Sequence, residues 1–157
     1  MIKQNLTASQ LNLLKTGGKP RSAQWNKVRD EYLAAHPKCI VCSTTEKIQI
    51  HHMYPFNYCI DAGRPDLELD SRNFISLCED ETKQNHHLLV GHLDSWESYN
   101  PNVKHDVVKF KNMTDEQIQS NAEWKSKKAN RPKPYKDMNA AEKTAFRQML
   151  DKVLPKK

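Results

Sequence analysis

The run Cys39-Ile40-Val41-Cys42 places two thiols two residues apart, a spacing that brings both onto one tetrahedral ion, as in zinc knuckles. A redox pair of this spacing normally opens a helix in a βαβ context. Here the pair follows a helical pattern and precedes a β-type run, which favours the metal. Cys78 ends a second β-type run, so pairing of the two runs would carry it to the knuckle. The fourth ligand comes from His86, Cys59 or His87, with His86 favoured. Such a closed site is a structural Zn2+, a staple. The chain needs one, because 157 residues that are 37% hydrophobic support only a small core, and small cores lean on metals or cross-links.

No apolar run approaches the ~18 residues that cross a bilayer. The opening MIKQNLTASQLNLL lacks the apolar stretch and cleavage site of a secretory leader. The expectation is a cytoplasmic protein in a reducing compartment, away from membranes, where four cysteines are read for metal before disulfides. The net charge of +6 is uneven: residues 106–157 hold thirteen Lys and Arg against seven Asp and Glu, and the remainder is neutral. A basic segment on a neutral body suits contact with a phosphate backbone, although a solvated, solubilising tail explains the charge equally well. Lys125, Lys127, Lys128, Arg131 and Lys133 are the candidate DNA-binding residues.

Thr7-Ala8-Ser9-Gln10 is a capping box opening a helix that stops at Gly17-Gly18. Trp25, Val28, Tyr32 and Leu33 form an apolar stripe on a second helix over 22–35. Two short strands, 47–52 and 73–77, flank a loop whose Pro55, Gly63 and Pro65 argue against regular structure. A short helix covers 86–93. Thr114 and Gln117 open another, running to about Lys128, and Asn139 with Glu142 opens the last, to about Val153. The apolar face of the last helix, Phe146, Met149, Leu150 and Val153, serves packing or a partner. The protein therefore reads as α+β, monomeric or homodimeric, with an N-terminal helix and linker (1–20), a compact central unit (21–105) and a basic helical extension (106–157).

His51 and His52 are consecutive on a strand and so point to opposite faces. One can ligate a metal while the other faces a bound substrate. Asn73, His87 and His92 keep them company. Arg21-x3-Trp25-x2-Val28-Arg29, Cys39-x2-Cys42, Ile50-His51-His52-Met53-Tyr54-Pro55, Leu69-x3-Asn73-Phe74-Ile75-Ser76-Leu77-Cys78 and Asn85-His86-His87, in that order, resemble the HNH nucleases, also called ββα-metal or His-Me finger nucleases. The resemblance covers about residues 20–100.

What the resemblance implies is a ββα-metal finger with a structural zinc knuckle, flanked by N- and C-terminal helices. It implies a metal-dependent DNA endonuclease that hydrolyses phosphodiester bonds. His51, His87 and, at the edge of reach, His92 would bind a single divalent ion, Mg2+, Mn2+ or Ni2+. His52 would be the general base, working near the ordinary imidazole pKa of ~6.5, and Asn73 would pin the loop beside it. Zinc-stapled members read Leu-Cys-x2-Cys-His at the second half-knuckle. This chain reads Leu77-Cys78-x7-His86-His87, with a longer spacer and histidine where cysteine is usual, so Cys39, Cys42, Cys78 and His86 form the implied zinc set. Residues 54, 56, 59, 96 and 99–101 are expected to pack, and Arg64 and Arg72 to contact phosphate or pair at the surface. The competing expectation is a zinc-knuckle module that binds DNA or protein without catalysis.

Overall fold

The computed structural model describes residues 6–157, so the first five residues of the expected N-terminal segment lie outside the described residues. Helix α1 (Ala8–Thr16) begins on the Thr7–Gln10 capping box and ends at Gly17, whose left-handed backbone (φ 59°) closes it. Helix α2 (Trp25–Ala35) leads into the Cys39–Cys42 turn. Strands β1 (Ile48–His52) and β2 (Phe74–Cys78) then form an antiparallel pair, with His52 opposite Phe74, His51 opposite Ile75 and Ile48 opposite Cys78. This is an α+β architecture on one two-stranded sheet.

Strand alternation sorts the two faces. Ile50, His52 and Phe74 meet α2 through Trp25, Val28, Tyr32 and Leu33, which assigns the amphipathic stripe to packing. On the opposite face Ile75 and Leu77 join Leu89, Val90 and Leu93 in the main core.

The connection between the strands departs from expectation. It folds into helix α3 (Phe56–Asp61) and two 3-10 turns, Pro65–Glu68 and Ser71–Asn73. The breakers bound these elements: Pro55 stands at the N-cap of α3, Gly63 follows its end with φ 81°, and Pro65 opens the next turn. The helix expected from Thr114 to about Lys128 is likewise two, α5 (Asp115–Gln119) and α6 (Ala122–Ala129), because Asn121 caps the second by accepting from the Trp124 N–H. A further helix, α4 (Val103–Lys109), runs across the expected boundary at 105/106.

The C-terminal third is structural. Val107, Phe110, Ile118 and Trp124 lie in the same core as Leu77 and Leu89, and the Trp124 indole donates to the Leu89 carbonyl at 2.9 Å. Asp106, fully buried, accepts from Asn100 at 2.8 Å and pairs with Lys127. Helix α7 (Ala140–Val153) packs Phe146 and Leu150 on Tyr58, Cys59, Leu67 and Tyr99. Met149 packs against this group and Leu154 belongs to it, whereas Val153 is exposed. Of the two expectations for Arg64, ion pairing is the one the structure shows, though the guanidinium meets its surface carboxylates from below. Its guanidinium is fully buried and donates to Asp66, Asp151 and the Leu154 carbonyl, tying α7 to the loop between the strands. Arg72 pairs with Asp70 and donates to the Pro155 carbonyl.

Among the described residues no helix is long and apolar enough to cross a membrane.

Candidate functional site

Among the described residues, two groups of side chains that could ligate a metal lie in the hairpin region. Cys39, Cys42, Cys78 and His86 form the first. The cysteine turn is locked by the Ser43 N–H on the Cys39 carbonyl (2.8 Å), with Ser43 at φ 62°, and is stitched to β2 by the Ile40 N–H on the Ser76 carbonyl (3.0 Å). Sγ of Cys42 lies 3.9 Å from Sγ of Cys78, and Nδ1 of His86 lies 3.8 Å from Cys39 Sγ and 3.4 Å from Cys78 Sγ. A tetrahedral Zn2+ with ordinary bond lengths sets these edges at roughly 3.8 Å (S–S) and roughly 3.5 Å (S–N). The donor set fits.

The protonation chemistry agrees. The hydrogen bond from Cys78 pulls the Cys39 thiol down, while that shared bond, together with burial, pushes Cys78 up. Three crowded thiols do not ionise together without a cation to neutralise them. His86 donates Nε2–H to the Met113 carbonyl at 3.0 Å, which leaves the Nδ1 lone pair facing the sulfurs. These four residues could hold an ion such as zinc. Of the other candidates, Cys59 sits in the separate cluster under α7, and His87 belongs to the second group.

That second group is His51, His87 and His92, all buried, with one ligand nitrogen from each within 4.8 Å of the others. His92 reaches it for a reason that helical geometry at ~100° per residue does not provide. Residues His87–Gly91 form a π-helical turn, in which hydrogen bonds span five residues, so His87 and His92 lie on one side. Their ring centroids lie 5.0 Å apart, and those of His51 lie 5.1 and 4.7 Å from each. His87 donates Nδ1–H to Glu79 at 2.9 Å and His92 donates Nδ1–H to the Ser98 carbonyl at 2.6 Å. Both partners are acceptors, so each Nε2 keeps its lone pair. Among the described residues the two ring nitrogens of His51 are buried side-chain atoms without a hydrogen-bond partner, a costly condition unless a ligand meets one of them. Burial and mutual repulsion hold His51 and His87 well below the usual histidine value, and burial takes His92 down to about 4. Three neutral imidazoles, each with a ring nitrogen within 4.8 Å of the others, suit a divalent cation.

His52 lies across the strand from this group, against the Trp25 and Phe74 rings (5.0 and 5.1 Å). It donates Nε2–H to the Glu68 carbonyl at 2.8 Å, leaving the lone pair on Nδ1. Its expected ordinary pKa is corrected: burial and the Arg21 cation push it down to about 3, against the Glu68 hydrogen bond. Arg21 stacks on Phe56 (3.9 Å) and Trp25 (4.4 Å) and reaches Glu68 at 3.6 Å. Asn73 is fully engaged with the neighbouring loop. Its amide donates to the carbonyls of Tyr54 (2.9 Å) and Leu67 (3.2 Å), and its Oδ1 accepts the Tyr54 N–H (2.9 Å).

Sequence reasoning missed four residues here. Trp96, expected only to pack over the finger, abuts both His87 and His92 at 5.0 Å. Glu79, just after β2, and Lys15 of α1 join it, and nothing in their local pattern marks them. Gly91 carries a legible signal, a glycine inside a helical run where it costs ~1 kcal/mol relative to alanine. Its Cβ position lies 2.9 Å from Cε1 and Nδ1 of His51. Gly91→Ala is therefore expected to displace the His51 ring and weaken any cation binding by the three imidazoles, while overpacking costs ~1–3 kcal/mol. Thermal melting and cation titration read the two effects separately, and an alanine variant with parental cation affinity contradicts the role given to Gly91.

Of the five basic candidates, Lys127 pairs with buried Asp106, Lys128 with Asp94, and Lys133 with Glu142, and Arg131 donates to the Leu93 carbonyl. Among the described residues Lys125 alone of the five makes no such contact.

No family model, curated protein or solved structure matches this chain. What the chain can be said to be therefore rests on the geometry of its own residues, an α+β protein with two buried clusters suited to metal ions.

Proposed function

We propose that the chain is a metal-dependent endonuclease of the HNH type that hydrolyses DNA phosphodiester bonds. One observation carries the reading: three neutral, buried imidazoles, His51, His87 and His92, converge on one side of β1 while His52, with its lone pair on Nδ1, occupies the other. A knuckle that served only as a staple has no use for the second cluster. In this reading Cys39, Cys42, Cys78 and His86 hold a structural Zn2+, within a ββα-metal finger made by the hairpin and the turn that follows it.

His51, His87 and His92 would hold a single divalent cation, Mg2+, Mn2+ or Ni2+, and an all-imidazole set favours the later transition metals. When bound, the cation supplies the positive charge that stabilises the leaving 3′ oxygen. His52 accepts the proton of the attacking water at Nδ1. The Glu68 carbonyl fixes its ring, and Asn73 holds residues 54 and 67 on either side of that loop. Arg21 depresses the basicity of His52 in the free protein. A phosphodiester anion beside that guanidinium offsets the effect, so the base strengthens as substrate arrives. Lys125, and the exposed members of the pairs made by Lys128 and Lys133, supply DNA backbone contacts.

Supercoiled plasmid incubated with the zinc-loaded protein and Mg2+, Mn2+ or Ni2+ is expected to become nicked. The His51→Ala variant, with zinc content unchanged, is expected to leave it intact. A parent protein that nicks with none of these ions would leave the non-catalytic zinc module as the function.

A further inference from the structure

We infer that Glu79 is a positioning residue of the imidazole cluster, the carboxylate that orients His87 and raises its strength as a ligand. This rests on the cation-binding reading of His51, His87 and His92. Glu79 immediately follows β2, and its N–H on the Lys47 carbonyl (2.9 Å) extends the hairpin by one rung. Neighbouring residues on an extended chain face opposite ways. The end of one strand thus sends Cys78 to the thiolate cluster and Glu79 to the imidazole cluster.

Oε1 of Glu79 accepts the His87 Nδ1–H at 2.9 Å. The carboxylate is itself held: Lys15 of α1 donates to Oε1 and Oε2 at 2.7 and 2.6 Å and lies 4.5 Å over the Trp96 ring. That ring packs on His87 and His92. A carboxylate on the far nitrogen of a ligating histidine fixes the tautomer, restrains the ring and makes Nε2 more basic. His92 has a neutral carbonyl in the same place, so among the described residues Glu79 brings the one anionic partner given to the three rings. Helix α1, a flanking element by sequence, closes this side of the centre.

The test is calorimetric titration of Ni2+ into full-length protein carrying one equivalent of Zn2+, with zinc release followed in parallel. Glu79→Ala is expected to raise the Ni2+ Kd by ~10–100-fold. Glu79→Gln keeps an acceptor for Nδ1–H without the charge and is expected to recover part of that loss. Should the alanine variant fail to fold, the glutamine variant decides alone, with a Kd at least threefold above the parent expected. Parental affinity in the folded variants overturns the role of Glu79. Tight Ni2+ binding that is lost in His51→Ala and weakened in Glu79→Ala upholds it, even where plasmid is never nicked. A parent that binds no Ni2+ beyond the knuckle overturns both this inference and the reading beneath it.

Discussion

Replacing His52 with glutamine or alanine is expected to suppress DNA cleavage by ~10²–10⁴-fold, the usual contribution of a positioned general base. Zinc content and DNA affinity should stay near those of the parent. Glutamine is the more informative change. His52 is buried among Trp25, Phe56 and Phe74, where alanine opens a cavity that itself costs a few kcal/mol. Glutamine can still donate to the Glu68 carbonyl, so the loop keeps its anchor while the proton acceptor is gone. Single-turnover cleavage of a labelled duplex measures the effect. Loss of less than tenfold would assign proton transfer to some other group.

Stripping the thiolate cluster of its ion is expected to unfold the molecule. Structural zinc in finger peptides is worth roughly 10–16 kcal/mol, against a net stability of about 5–15 kcal/mol for an ordinary domain. Cys39 and Cys78 are part of the main core, beside Val41, Leu77 and Leu89, so the loss reaches beyond the knuckle. Cys39→Ser, or a strong chelator under reducing conditions, should abolish the cooperative melting transition and release the zinc. Circular dichroism with parallel metal analysis reads both. A melting temperature that survives chelation would show that packing alone holds the hairpin.

The charge of the basic extension is tested by substitution, because truncation disrupts the core. Truncation after His105 removes Val107, Phe110, Ile118 and Trp124 from the core, so weakened DNA binding by that fragment would report unfolding. Single reversals such as Lys125→Glu keep the core and address the backbone contact directly.

Local chemistry made much of the framework legible. The capping boxes at Thr7, Thr114 and Asn139 each appear where the sequence puts them, because a cap needs only residues within one turn. The strands fall within one residue of expectation for a similar reason, since alternation and the cysteine turn are short-range. The breakers between the strands, which argue for a loop, instead bound short helices. Proline and glycine mark the ends of short helices as well as loops, and residue order alone does not say which.

The sequence by itself determined an α+β chain with a two-residue cysteine turn, a His-His strand end and ligands enough for two ions. Tertiary structure decided which side chains meet. His92 reaches His87 through a π-turn, because packing on the hairpin overrides ideal helical spacing. Arg64, Lys127 and Glu79 found partners 87, 21 and 64 residues away, at Asp151, Asp106 and Lys15. Pairings over such distances depend on how packed elements bring charges together, and no local pattern encodes them.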